Sequence, residues 1–428
     1  MNDATAYAGA VGGPRAIATI GAPAWVAGER AAVALTALAV ALLPVAVPTG
    51  PANVAPIDLF IVIATAACLM WGAAAGVAWR FPYALPLAIF MAGGAIGALA
   101  GPVPGNGVVA IVQDVVLIVW CWVVVNLSRS PRNLSALVST WVYTSIVWAI
   151  MPIIGVITGS AALTGQTENQ GSRVQITLAD PSYAANYFFI SIMLIWATGR
   201  PRHQGLRLVA YALLVVAIVL TGSNSGMLSL LVGTAVAGVL GIYRRFGAMS
   251  AVAALVLLVL SAGFASLSIN LTKIQESAQS SRYAFIRDGI GRGTSVSQRG
   301  MLLHESIRLL RDGGPLGEGP VSTKVRLARA QAPFEKEAHD DYLAALLERG
   351  VIGFLGLLAL VSGLLYRSFA FSRSSLSGGF GAVVARPHAF AGAVAGTLVA
   401  GAVYELLHVR HVWALFGLVA ALYIWARE

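Results

Sequence analysis

The chain has 428 residues, 58% of them hydrophobic and 11% charged, with a formal net charge of +10 and a mean hydropathy of +0.79. A water-soluble domain carries about 25% charged residues, so the composition excludes a soluble fold and makes lipid the main solvent. The basic residues collect in loops between apolar runs, where membrane topology accounts for them without nucleic acid.

Residues 1–25 are mostly small and polar and lack the basic-then-apolar order of a signal peptide. They read as a flexible cytoplasmic tail. A membrane helix needs about 20 apolar residues. Within 26–268, nine runs approach that length: 29–47, 57–78, 83–101, 107–126, 134–158, 182–198, 206–221, 225–242 and 247–268. Cys68 and Cys121 fall inside these runs with no partner at metal-ligand spacing, which makes them packing residues. Residues 269–338 are the one long hydrophilic stretch. Here "SQRGMLLHESIRLLRDGG" (297–314) predicts an amphipathic helix lying on the membrane surface, with Met301, Leu302, Ile307, Leu309 and Leu310 as apolar positions and "DGGPLGEGP" as its stop. Three further runs, 341–366, 389–406 and 409–425, occupy 339–428.

The expected fold is therefore an all-α polytopic membrane protein of about 12 transmembrane helices with one long external, periplasmic loop. Arg80, Arg129, Arg132, Arg200, Arg202, Arg207, Arg244, Arg245, Arg367, Arg373, Arg386 and Arg427 mark one face, whereas "PTGPANVAP", "GPVPGNG" and "TGSNSG" on the other hold no base. Lys and Arg mark the cytoplasmic side, so both termini are expected there.

The span centres are nearly free of charge. Asp114 and Glu405 are the main exceptions, each near the end of a run, while Arg173, Asp180, Arg299, His339, Asp340 and Asp341 gather at the outward mouth. Transporters place ionisable groups near the midplane, so this pattern favours work at the outer interface. Arginine holds phosphate oxygens bidentately and stabilises a departing diphosphate, and a histidine takes or orients a hydroxyl proton. That set suits glycosyl transfer from a lipid diphosphate. No metal or other cofactor is called for, since the first outer loop has only Asp58 and no carboxylate pair.

Three stretches carry a family resemblance. "HDDYLAALLERGVIG" (339–353) looks like the signature of the O-antigen ligase and polymerase superfamily, in which a His opens a helix that ends in Gly-x-x-Gly. "SQRGMLLHESIRLLRDGGPLGEGP" resembles that family's Arg-helix-"P-L-x-G-x-G" segment through Arg299, Pro315, Leu316, Gly317 and Gly319, and "SRVQITLADPSYAANYF" (172–188) resembles its "R…DPNxxA" element through Arg173, Asp180, Pro181 and Ala184. The resemblance implies a membrane glycosyltransferase, closest to the O-antigen ligases. In it Arg173 and Arg299 grip the diphosphate of an undecaprenyl-linked glycan, and His339, with Arg299, serves transfer to a lipid A–core acceptor. Two positions depart from the pattern. Asn224 stands where "TGSNSG" would carry an Arg in the family, and Asp340 follows the histidine in place of Asn.

Plainer roles stand beside these. Asp341 reads as a helix cap. Glu348 lies nine residues after His339, about 180° around the helix, and is expected to pair with another helix. His408 and His411 read as interfacial rather than as half a metal site. The family motif is shared with polymerases, which join lipid-linked repeats, and with protein O-glycosyltransferases. A lipid-glycan transporter is the alternative from another class.

Overall fold

The computed structural model describes residues 24–47, 54–167, 171–268, 271–282, 286–287, 294–329 and 340–427. Among these the regular structure is helical, with no strand. The first part of the chain forms α1 (Ala24–Ala41), α2 (Pro56–Ala75), α3 (Ala84–Ala100), α4 (Pro104–Leu127), α5 (Pro131–Thr158) and the single turn α6 (Ala161–Thr164). The next are α7 (Pro181–Thr198), α8 (Gln204–Thr221), α9 (Asn224–Phe246) and α10 (Ala248–Ser268). The hydrophilic stretch contains α11 (Leu271–Gln279), α12 (Thr294–Asp312) and α13 (Ser322–Arg329), and the chain closes with α14 (Asp341–Arg373), α15 (Phe380–Val383), α16 (His388–Gly401) and α17 (Arg410–Trp425).

Each of the twelve apolar runs falls on a helix. Six of these helices, α2, α4, α5, α8, α9 and α14, are long and apolar enough to cross a membrane. The outward-facing residues of α10 are themselves apolar, including Leu257, Val259, Leu260 and Phe264, as a lipid-facing surface requires. By contrast α7 and α17 are buried around nearly their whole circumference. They form the centre of the bundle, with α14 packed along α3, α16 along α9 and α17 along α4.

Two helices differ from their sequence pattern. The run 389–406 is helical only to Gly401, because residues 402–409 turn away as a connection rather than as the last turn of a span. In α12, Leu302 and Leu309 pack with Leu327 and Leu347 in a small cluster of their own. Leu302, Leu309 and Leu310 are thus used inside the protein, while Met301 and Ile307 stay exposed.

Helix α14 is broken. Gly350 sits at φ 64°, ψ −169°, a region open essentially to glycine alone. The "PLGEG" stretch fills the gap: Val351 N donates to Pro315 O (2.8 Å), Glu318 N to Leu347 O (3.1 Å) and Gly319 N to Glu348 O (2.8 Å). Backbone groups freed by the break are thereby satisfied within the protein, the condition for non-helical backbone at membrane depth. The approach is close. A Cβ on Gly317 would lie 2.3 Å from Gly350 N, and one on Gly93 of α3 would lie 2.3 Å from Gly353 N. Small residues on α3 let the broken helix and its filler reach the bundle.

Candidate active site

Beside the first half of α14 lies a cavity of about 920 Å³. Its walls come from the ends of α1, α2 and α7, from α4 as far as Asp114 and Leu117, from Pro320 and Val321, and from the connection between α16 and α17. Asp114 is ten residues into α4, about 15 Å from its start at 1.5 Å per residue, so the cavity runs well along a helix that is long and apolar enough to cross a membrane. Leu59, Val62, Val112 and Val116 make an apolar wall.

Two ion pairs cross this space. Arg410, the first residue of α17, donates from Nε to Asp58 Oδ1 (2.9 Å) and from Nη2 to Asp58 Oδ2 (2.5 Å). Asp58 is held by its own helix start, where Ala55 N donates to Oδ2 (2.8 Å). Arg349, next to the break, donates to Asp114 Oδ2 (2.6 Å) and lies 4.0 Å from the centre of the Phe90 ring. These are guanidinium–carboxylate pairs in a largely apolar setting, where paired charge is tolerated and lone charge is not.

A second polar group sits on the 402–409 connection and the first turn of α7. Tyr183 Oη and His408 Nε2 are 2.6 Å apart. The Tyr183 ring meets Tyr404 and His408 edge-on, with centroids 5.4 and 5.2 Å away. Tyr404 also hydrogen-bonds Asp180, and burial pushes its phenol well above the ordinary value. The connection is anchored by Asp341, whose carboxylate accepts from Leu406 N (3.0 Å) and Leu407 N (3.2 Å). Asp341 is therefore not the cap of α14, as its position suggested. Asp340 is the cap, accepting from Tyr342 N (2.8 Å) and Leu343 N (3.1 Å), and burial holds its carboxyl above the usual range.

The residues expected from the sequence are distributed as follows. Arg173 Nε donates to Thr221 O (2.9 Å), so the 171–180 stretch is tied to the end of α8, three residues before Asn224. Asn224 is exposed at the start of α9. Asp180 caps α7, accepting from Ser182 N (2.6 Å). Arg173 and Thr221 thus meet at the corner between α8 and α9, and Leu178 and Ala179 of the same 171–180 stretch line the cavity. Arg299 lies on α12, with its side chain outside the description, and His339 lies outside the described residues. Glu348 pairs off its own helix, accepting from Thr323 Oγ1 (2.7 Å) and Val321 N (2.9 Å). The two histidines of the last connection diverge: His411 is fully buried against Asn186 Oδ1 (3.1 Å), while His408 is exposed. No group of three or more metal-ligating side chains occurs among the described residues.

A family model described as O-antigen ligase matches residues 209–358. Within that segment the chain is similar to the O-antigen ligases. None of the curated proteins compared matches the chain. The O-antigen ligase segment runs from α8 through the break in α14, so it carries Asn224, Arg299, the "PLGEG" filler, His339 and Gly350. Of the charged side chains lining the cavity, Asp341, Glu348 and Arg349 fall inside it, and Asp58, Asp114, Glu405 and Arg410 fall outside it.

Sequence reasoning missed Arg349 and Arg410, although a signal was present for each. Arg349 is a base inside the apolar run 341–366, and Arg410 is a base at the outward start of the run 409–425. The positive-inside rule gives no reason for either.

Proposed function

We propose that the protein is a metal-independent membrane glycosyltransferase that moves a glycan from undecaprenyl diphosphate to the sugar of a lipid A–core. In this reading twelve helices span a bacterial inner membrane with both termini cytoplasmic, and residues 269–338 form a periplasmic loop beside the transfer site. The observation that carries the proposal is the cavity at the broken end of α14, apolar on one side and charged on the other, in a chain with an O-antigen ligase segment. An isoprenoid carrier fits the apolar wall, and its head group needs the polar one.

The cavity lining has five carboxyl groups (Asp58, Asp114, Asp341, Glu348 and Glu405) and two guanidinium groups (Arg349 and Arg410) among the described residues. Both guanidinium groups already have carboxylate partners, so a diphosphate needs further cations. Arg173 and Arg299 supply them in this proposal. The acceptor hydroxyl oxygen attacks the anomeric carbon, the bond from that carbon to the diphosphate oxygen breaks, and undecaprenyl diphosphate leaves. The hydroxyl proton passes to His339, and the two arginines stabilise the charge gathering on the leaving group. Asn224 offers an uncharged polar contact near Arg173, Asp180 holds the start of α7, and Asp340 holds the start of α14 directly after His339.

The test is a strain lacking the protein, complemented with wild type or His339→Ala. Core-only lipopolysaccharide with accumulated lipid-linked polymer, rescued by wild type alone, is the expected pattern. Core plus a single repeat would make the protein a polymerase, and full rescue by His339→Ala would remove that residue from the chemistry.

A further inference from the structure

The Tyr183–Tyr404–His408 group is not used by the reaction as written, and it lies on the wall of the same cavity. We propose that these three residues, with Asp180 and Glu405, form a subsite for a neutral sugar ring. This rests on the reading of the cavity as the place of glycan transfer.

The chemistry of the lining selects the ligand class. Phenol and imidazole groups both donate and accept hydrogen bonds, and carboxylates accept them, which matches the alternating hydroxyls of a pyranose. The three rings add apolar faces for the sugar's C–H surface while keeping a polar tip. His408 is exposed, and Tyr183, Tyr404, Glu405 and Asp180 are half-buried, so the group is open to a ligand rather than sealed in the core. An anion is the wrong occupant at this part of the wall, because Asp180 and Glu405 stand beside Tyr404.

Placement supports the same assignment. Asp341 ties the 402–409 connection to the first turn of α14, two residues after His339. His408 is two residues from Arg410, whose partner Asp58 begins the apolar wall. A sugar held at the tyrosines therefore sits on the structure that links the start of α14 to the apolar wall of the cavity.

The ring could belong to the acceptor or to the donor glycan. Saturation-transfer NMR on the purified full-length chain separates the two, with deacylated lipopolysaccharide core oligosaccharide and lipid-free O-glycan repeat as probes. Wild type is expected to saturate the ring protons of one probe. Tyr183→Phe and Tyr404→Phe are each expected to reduce that signal about five- to tenfold, the loss of one to two hydrogen bonds. His408→Gln is the second variant should either tyrosine change prevent folding, with the same reduction expected. No saturation of either probe, or equal saturation in wild type and variants that remain monodisperse, would overturn the subsite. A transfer assay run alongside keeps the two claims apart: tyrosine-dependent sugar binding without transfer by wild type supports the subsite and contradicts the proposed function.

Discussion

The stretch 315–350 and the stretch 402–411 border the same cavity, but they are held in different ways. In the first, backbone meets backbone at the break: "PLGEG" fills the gap at Gly350 through three main-chain hydrogen bonds, with the Glu348 side chain adding bonds to Val321 and Thr323 beside it. In the second, side chains do the joining, through Asp341 to Leu406, His408 to Tyr183 and Arg410 to Asp58. The first lies inside the O-antigen ligase segment and the second outside it. A backbone-built region depends on glycines at fixed positions and fails when a Cβ is added. A region built from side chains can be dissected one group at a time, and its energetics are those of paired charge and hydrogen bonding.

The contrast breaks most sharply at Gly350. Gly350→Ala places a Cβ 2.3 Å from the Leu316 carbonyl carbon at a φ, ψ closed to alanine. The expected loss is on the order of 3 kcal/mol or more, visible as little monodisperse protein and early thermal unfolding in detergent. A normal unfolding curve would mean that the break is not held by backbone contact. Next in size is Arg349→Met, which leaves Asp114 without its partner and should destabilise by about 3–5 kcal/mol. Adding Asp114→Asn should restore most of this. If the double variant were as unstable as the single, the pair would not be the source of the loss.

Smaller effects sharpen the account of the helix start. Asp340→Ala removes a cap and should cost about 1 kcal/mol, whereas Asp340→Asn keeps the acceptor and should stay within a few tenths of that scale. The native carboxyl has the opposite pH behaviour from most paired acids. Burial raises its folded value, so the folded state binds this proton more tightly than the unfolded chain. Its contribution to stability therefore grows as pH falls through the window between the raised and ordinary values, and is absent above it. Thermal scans across that window should show this component in wild type and lose it in Asp340→Asn. Smallest of all is metal removal: transfer is expected to be unchanged in EDTA, and rescue by added Mg²⁺ of an EDTA-inhibited enzyme would replace arginine with metal in the mechanism.

The same contrast explains what the sequence could reveal. Helices were legible because their solvent is lipid, which imposes long apolar runs and excludes charge. "PLGEGP" and the glycines of 350–353 were legible as a motif, since backbone contacts fix residue type at short spacing. That one fits into the other was not, because nothing local states which helix is broken. Arg349–Asp114 and Arg410–Asp58 join residues 235 and 352 positions apart, and no pattern in one sequence pairs them. Asp340 and Asp341 show the limit at close range: adjacent acids at a helix start look alike, yet one caps α14 and the other reaches across to Leu406. Arg173 and Asn224 were named separately, and the bond from Arg173 to Thr221 ties the first to the end of the helix that precedes the second, a relation only the folded chain expresses.

The central claim, that this cavity is where a glycan changes carriers, is tested most directly by reconstitution. Purified full-length protein in lipid is given an undecaprenyl-diphosphate-linked glycan and lipid A–core, and both the glycosylated core and released undecaprenyl diphosphate are measured. The account predicts equal amounts of the two products from wild type and none from His339→Ala. Lengthened lipid-linked glycan with the core untouched, or full product from His339→Ala, would contradict it.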